Sequence, residues 1–397
     1  MTTPPSLTTP PSNNHPQGIS LALARYIRAR ILHNGGWMGF DAFMALALYA
    51  PGLGYYANGS AKFGAFPQGM RGAHGQTTGA GSDFVTAPEM TPLFGQMLAR
   101  QVAQALKASG TYEIWEFGAG TGALAEQLLE ALGDLGIALE RYTIVEVSDS
   151  LRDRQRQRLA AHANKVAWAG VLPAALRGVA VGNEVLDAMP VQLLARVGGV
   201  WFERGVVCAD ANVDGNVEVT FAWADRPTAL RPPLEIEGEH DYLTEIHAQG
   251  EAFIRTLGDR LQAGAMFFLD YGFPESEYYH SQRHMGTVMC HRAHRSDDNP
   301  LIDVGLKDIT AHVNFTGIAM AAQESGLEVL GYTNQAHFLM NCGLPQAMEA
   351  APLQERVAAH KLIAEHEMGE LFKVIGLCKG AHWDAVGFAR GDKIHRL

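Results

Sequence analysis

The chain of 397 residues is short of cysteine, of charge and of long apolar runs. Its four cysteines, Cys208, Cys290, Cys342 and Cys378, lie far apart with no C-x-x-C pair. That excludes a zinc ribbon and a disulfide framework and fits a reducing compartment. Charged residues make up only 18%, and 31 Lys and Arg face 42 Asp and Glu, a formal charge of −11. Such a field repels phosphate backbones, so no nucleic-acid partner is expected. No apolar stretch approaches the roughly 20 residues that span a bilayer, so no transmembrane segment is expected either. Residues 1–17 hold five prolines and no Lys or Arg. They lack a charged n-region, an apolar h-region and the Arg pattern of a transit peptide, and read as a disordered tail of a cytoplasmic protein.

Against those shortages stands a 47% apolar content, enough for a full hydrophobic core without staples. Helical spacing over 18–34 and 39–49 predicts two N-terminal helices, and the Gly-rich stretch 52–84 predicts a surface loop with a mobile centre at about 65–81. A helix is expected from Thr91, with Pro92 in its first turn. From Tyr112 the pattern alternates. YEIWEF, YTIVEV, KVAW and VAVGNE read as buried strands separated by helices at 121–132 and 149–162, which implies a parallel sheet. Segments 193–208 and 216–223 read as an inserted meander. A helix is expected over 241–261, a strand at AMFFLDYG, an irregular His- and Arg-rich stretch over 271–311 and a helix at about 310–325. LEVLGYT, a helix at 345–366 and ELFKVIGL complete the chain. The organisation is therefore a tail (1–17), an N-terminal helical and loop region (18–82), a first core part (83–192), the meander (193–240) and a second core part (241–397), with 271–311 facing a substrate.

The segment Glu116-Phe117-Gly118-Ala119-Gly120-Thr121-Gly122 joins a buried strand directly to a helix. Glycines there permit positive φ and let a ligand approach the backbone and the free N–H groups of the helix start. Gly118, Gly120 and Ala123 also satisfy the dinucleotide pattern G-x-G-x-x-G/A, and a tight turn without a ligand has the same spelling. The acids favour a cationic nucleoside. Glu116 would repel a pyrophosphate but attract an ammonium. Glu146, ending the next strand, could accept both ribose hydroxyls, or be a plain solvent-facing strand end. S-adenosyl-L-methionine carries an ammonium and a sulfonium and no phosphate.

With these residues in view, the sequence resembles the class I S-adenosylmethionine-dependent methyltransferases, and among them the MidA-like family of protein arginine methyltransferases that assist complex I assembly. The resemblance runs from about residue 19 to 390. It rests on Gly52-Leu53-Gly54-Tyr55-Tyr56, Asp83 to Glu89 with Leu93-Phe94-Gly95, Glu116 to Gly122, Val145 to Ser148, Gly182 to Val191, Asp270-Tyr271-Gly272 and Asp308 to Val313. It implies an α/β fold, doubly wound around a mostly parallel seven-stranded sheet, with N-terminal helices and an inserted β-rich lid. It also implies a protein substrate and symmetric dimethylation of arginine on the quinone-site subunit of complex I. The chain departs from the family in the insertion at about 65–81, in Asn314 where Asp is usual, and in Val288-Met289 where Leu-Arg is usual. The oligomeric state stays open, a homodimer being one alternative.

In an open α/β sheet, ligands sit beyond the carboxyl ends of the strands at the switch point. VAVGNEVLDAMP leaves the fourth strand there, which makes Glu184 the first catalytic candidate, Asp187 the second and Asn183 the third, Asn183 also bordering the cofactor. Carboxylates can hold a guanidinium bidentately. The bland alternative has Asn183 and Asp187 capping a following helix, with Glu184 exposed. Asp270, Tyr271 and His312 are substrate-binding candidates, and Thr86, Pro88 and Glu89 are expected to close over the cofactor. His280, His284, Cys290, His291 and His294 match no metal-ligand spacing, so no metal is expected. Arg152, Asp153, Arg154, Arg156 and Arg158 read as a solvated helix face. Two rivals remain open: a nicotinamide-dependent oxidoreductase, and a non-catalytic assembly chaperone that binds the cofactor.

Overall fold

In α1 (Pro16–His33), Leu23, Ile27 and Ile31 recur every four residues and are fully buried. The computed structural model describes residues 16–58, 70–71, 77–78, 85–209, 211–213, 216–292, 295–380 and 382–397. Asp83, Phe84, His294 and most of 1–17 and 65–81 lie outside the described residues. Helix α2 (Phe40–Tyr49) buries Phe40, Phe43, Met44, Ala47 and Leu48 and stops before Pro51, which lacks the N–H to continue it. After the single turn α3 (Ala87–Met90) comes α4 (Pro92–Ser109). The Thr91 hydroxyl accepts from the Leu93 amide at 3.3 Å at its start, and left-handed Gly110 ends it.

The alternating region then unfolds as β1 (Glu113–Phe117), α5 (Ala123–Asp134), β2 (Arg141–Val145), α6 (Asp149–Arg158), β3 (Val166–Ala169) and β4 (Leu176–Asn183). The inserted strands are β5 (Gln192–Val197), β6 (Val200–Cys208), β7 (Phe221–Pro227) and β8 (Tyr242–Ile246). The core resumes with α7 (Ala248–Arg260), β9 (Leu261–Phe273), α8 (Phe315–Glu324), β10 (Glu328–Asn334), α9 (Gln335–Asn341), α10 (Leu344–Ala350), α11 (Leu353–Ile363) and β11 (Phe372–Lys379).

The large sheet runs β10–β11–β9–β4–β1–β2–β3, with the short strand Val313–Asn314 pairing alongside the end of β9. Its neighbours are parallel except β11, which is antiparallel to both β9 and β10. This is the doubly wound, mostly parallel sheet of seven long strands that the sequence implied. Because the chain winds outward from β1 to β3 and then returns to β4 on the other side of β1, the crossovers diverge and open a crevice at the strand ends. Along β9, Ala265, Phe267 and Leu269 enter the core under α4, while Met266 and Phe268 enter the core of α7 and α8. That two-residue alternation buries both faces of the sheet. A third core unites α1 and α2 with the antiparallel sheet, in which Met38–Gly39, β6, β5 and β8 are neighbours and β7 pairs with β6. Among the described residues no helix is long and apolar enough to cross a membrane.

Four local expectations need correction. Residues 242–246 are a strand, and the helix begins only at Ala248. Tyr242 to Ile246 lie opposite Arg196 to Gln192, so a distant strand overrides the local helical spacing. The stretch 345–366 is broken at Pro352 into α10 and α11, and α9 precedes it unforeseen. Residues 271–311 are not wholly irregular: Met289–Arg292 pairs with Arg295–Asp297 and Asp308–Thr310. The helix expected from 310 begins at Phe315, where the Asn314 side chain accepts from the Gly317 amide at 3.3 Å. Asp and Asn both cap helices well, so that departure from the family pattern keeps the local function.

Candidate active site

The crevice holds a cavity of about 950 Å³ bounded by the ends of β1, β2 and β4, the start of α5, the Thr86–Glu89 segment and the C-terminal end of α2. At the β1 end, Gly118, Gly120 and Gly122 have φ of 65°, 52° and 87°, a region that L side chains avoid. A Cβ on Gly118 would stand 2.7 Å from Val185 Cγ2, so the β1 and β4 turns touch there. Gly118 and Gly120 border the cavity, whereas a Cβ placed on Gly122 would lie 3.5 Å from Gln155 and from Leu159.

Glu116 lines the cavity yet is almost fully buried. Burial raises its pKa to about 8, the nearby Glu146 charge adds to the rise, and the Tyr142 hydroxyl, donating at 2.8 Å, opposes it. Glu146 is held differently. The Val147 and Ser148 amides donate to its Oε1 at 2.9 and 2.8 Å, and Gln155 Nε2 donates to Oε2 at 3.3 Å. The same Gln155 nitrogen donates to the Gly120 carbonyl at 2.9 Å, tying the two ligand-facing turns together.

Two arginines of α6 correct the picture of a purely solvated face. Arg152 donates to the Glu146 carbonyl. Arg158 Nε meets Glu126 at 2.7 Å, and its Nη1 donates to Glu89 at 3.2 Å and to Thr121 at 2.7 Å. Thr121 in turn donates to Glu89. Thr86, Pro88 and Glu89 are thereby drawn against the glycine turn, and all three line the cavity. Arg156 pairs with exposed Asp153, as a surface helix face does.

At the β4 end no helix follows Asn183, which removes the capping alternative. Glu184 instead adopts φ 54°, a left-handed conformation costly for a residue with a Cβ. Asn183 Nδ2 donates to Glu184 Oε1 at 2.9 Å. Burial raises the Glu184 pKa to about 8, aided by the charges of Asp187 and Asp308 and opposed by hydrogen bonds from Asn183 and the Ala87 amide. Asp187 is raised to about 6 by burial, against a hydrogen bond from Tyr271. Asn183, Glu184 and Asp187 all line the cavity. Asn183 Oδ1 and Asp187 Oδ1 are buried with no hydrogen-bond partner among the described residues.

Asp270 does not line the cavity. Its Oδ2 accepts from the amides of Val185, Leu186 and Asp187 at 3.1, 2.9 and 3.2 Å, which clamps the turn that carries Glu184. Tyr271 reaches the site through Asp187, to which its hydroxyl donates, and His312 stacks edge-on against Tyr271 and Phe273 with ring centroids 5.3 and 5.2 Å away. Among the described residues no three His, Cys, Asp or Glu are grouped as metal ligands.

Sequence reasoning missed Tyr49, Tyr56 and Asp308, which also line the cavity. Tyr49 donates to the Ala188 carbonyl at 2.8 Å and Tyr56 to Asp308 Oδ2 at 2.7 Å. Tyr56 and Asp308 both belong to the segments that carried the family resemblance, the signal from which they could have been found. Among the described residues the cavity lining contains seven carboxylates, Glu89, Glu116, Glu146, Asp149, Glu184, Asp187 and Asp308, and no Lys, Arg or His.

A seven-stranded doubly wound sheet with a glycine turn and an acid at each of its first two strand ends defines a class I methyltransferase. The chain belongs to the family described as "Putative S-adenosyl-L-methionine-dependent methyltransferase", whose model matches residues 97–333. A Burkholderia thailandensis crystal structure described as a "likely methyl transferase" bound to S-adenosyl-homocysteine is 46% identical, covers 99% of this chain and 100% of its own, and superposes with TM-score 0.88. A native structure from the same organism gives 45%, 99%, 100% and 0.83. The zebrafish (Danio rerio) protein arginine methyltransferase NDUFAF7 is 24% identical over 91% of this chain and 88% of its own length. The Drosophila melanogaster homologue is 26% identical over 93% and 89%. The protein is thus an S-adenosyl-L-methionine-dependent methyltransferase. Its own residues fit that cofactor: the carboxylates of Glu116 and Glu146 line the cavity at the first two strand ends, Asn183 borders it with a side-chain oxygen that has no partner among the described residues, and Gly118 and Gly120 line it in the left-handed conformation.

Proposed function

We propose that the chain methylates arginine in a protein substrate and forms symmetric dimethylarginine, with the quinone-site subunit of respiratory complex I as its target. The names of the zebrafish and fruit-fly relatives support the arginine reading. The observation that carries it is the cluster of Glu184, Asp187 and Asp308 on one cavity, with Asp187 Oδ1 lacking a donor among the described residues. A guanidinium brings five N–H donors and a positive charge to those acceptors.

Bound S-adenosyl-L-methionine supplies an electrophilic methyl group on a sulfonium, so a carbon–sulfur bond breaks as a carbon–nitrogen bond forms. Glu116, Gly118, Gly120 and Glu146 would hold the donor, with Asn183 bordering it. Thr86, Pro88 and Glu89 cover it. Glu184 and Asp187 grip the guanidinium and keep one nitrogen in line with the methyl group, an alignment worth about 7–11 kcal/mol at near-attack distance. Asp187, raised only to about 6 and so ionised at neutral pH, suits the role of taking the proton that the nitrogen loses, while the guanidinium charge favours the ionised form of Glu184, which burial holds at about 8 without it. Asp270 and Tyr271 act through the turn and through Asp187 rather than by touching the acceptor.

The test is transfer of label from S-adenosyl-L-methionine to the subunit, followed by acid hydrolysis and chromatographic separation of the methylarginines. Symmetric dimethylarginine is expected from the wild type, and donor binding without turnover from Glu184→Gln. Label on another residue type, or unchanged turnover in Glu184→Gln, would refute the assignment. Wild type that binds donor and subunit yet transfers nothing would favour a chaperone.

A further inference from the structure

A second groove of about 750 Å³ opens beside the active-site cavity and shares Tyr49 and Phe253 with it. Its walls are α2, the Met189–Gln192 segment that follows the Glu184 turn, and the first half of α7. Tyr49, Met189, Pro190, Ala252 and Phe253 make it largely apolar, while Gln192, Gln249 and Thr256 offer polar groups to a peptide backbone. The end remote from the reacting centre is acidic. Asp41 lines it, and an atom placed as a Cβ on Gly39 would lie 2.6 Å from Asp41 Oδ1 and 3.5 Å from Glu203 Oε1, so the two carboxylates converge. Burial and the neighbouring Asp41 charge raise the Glu203 pKa, as expected of two acids facing one another, while a hydrogen bond from Gln192 and the charge of Arg226 on the adjacent strand oppose the rise. No described Lys, Arg or His lines the groove.

We infer that this groove seats the backbone of the acceptor peptide and that Asp41, with Glu203 behind it, selects a second basic residue near the methylated arginine. The inference rests on the arginine reading above. Continuity with the carboxylate-lined reacting cavity, and Asp41 as the one charged residue among the described lining of the groove, favour a cationic peptide as the occupant over an anionic or neutral one. The geometry also sets the spacing. Asp41 and Tyr49 stand at opposite ends of α2, about 12 Å apart at 1.5 Å per residue, which an extended chain at about 3.3 Å per residue crosses in three to four residues. A base on one flank, three or four positions from the target arginine, therefore reaches Asp41 when that arginine lies between Glu184 and Asp187.

The experiment uses the full chain, S-adenosyl-L-methionine and peptides carrying one arginine, with a lysine moved stepwise along either flank. A minimum in KM is expected with the lysine three or four positions away on one flank. Asp41→Asn should raise KM for that peptide roughly fivefold, as loss of one partly exposed ion pair implies, with kcat and donor affinity unchanged. Asp41→Lys should move the preference to a glutamate at the same place. Equal KM across the series, or a KM minimum that survives Asp41→Asn, overturns the inference while leaving arginine methylation intact. Absence of label on any arginine peptide or protein removes the arginine reading and this inference together. Self-association that Asp41→Asn abolishes would assign the groove to a second copy of the chain and overturn the proposal.

Discussion

The Tyr142 hydroxyl donates to the Glu116 carboxylate at 2.8 Å, from one strand to its parallel neighbour, beneath the glycine turn. Both groups are buried, and Tyr142 is the side-chain donor that favours the charged form of the carboxylate lining the cofactor cavity. Its pKa of about 8 makes it largely neutral at pH 7 without the cofactor.

Binding an ammonium favours the ionised form, so cofactor binding should release a proton below about pH 8. Affinity should rise with pH, by up to about tenfold per unit, and level off above that point. Calorimetry in buffers of different ionisation enthalpy measures both effects. Tyr142→Phe, which removes the donor, should move the plateau to higher pH. Affinity that is flat from pH 6 to 8.5 would show that Glu116 does not meet the ammonium.

The same pKa shifts make the cofactor-free fold sensitive to alkali. Glu116 and Glu184 keep their protons to about 8 in the folded chain and lose them near 4.5 when unfolded. Between these values the unfolded state binds fewer protons, so stability falls as pH rises. Thermal melts should show Tm dropping from pH 5 to 8. Glu116→Gln should flatten the drop, gain about 1–3 kcal/mol at pH 8 and abolish cofactor binding. A steeper drop in that variant would count against the reading.

Asp270 should behave as a positioning residue. Asp270→Ala leaves three turn amides without their acceptor and should cost about 3 kcal/mol in denaturant unfolding. In Asp270→Asn, kcat should fall far more than cofactor affinity, because the turn that places Glu184 and Asp187 loosens while the glycine turn stays. Equal losses in both would mean that Asp270 supports the whole crevice.

The left-handed backbone at Glu184 predicts a difference between two inactive variants. Glu184→Gly should be more stable than Glu184→Ala by about 1 kcal/mol, since glycine adopts this φ without strain. Identical melting of the two would remove strain from the account of this turn.

Arg158 holds Glu89 and Thr121 together at the rim. Arg158→Ala should weaken cofactor binding roughly tenfold, with kcat at saturating cofactor little changed, since a charge-assisted hydrogen-bond network of half-buried groups is worth about 1–2 kcal/mol. Equilibrium dialysis with labelled cofactor reads this directly.

Much of the core was legible because its signals are local. The strand-turn-helix at Glu116 to Ala123, the acid ending β2 and the Asn183-Glu184-Asp187 turn each announce themselves within a few residues, by glycine placement and by the switch from two-residue to helical spacing. The strand at 242–246 was not legible, because its helical spacing yields only to pairing with β5.

What the sequence determined by itself was the alternation of buried strands and helices, the glycine turn and the presence of acids at the strand ends. The tertiary structure alone decided how those acids are used. It turned Asp270 inward onto three amides and left Glu184 and Asp187 facing the cavity. It also joined Tyr56 to Asp308 across 252 residues of chain. Such pairings follow from how separate layers pack, and a buried carboxylate takes whatever donors that packing brings within reach, which no local pattern of residues encodes.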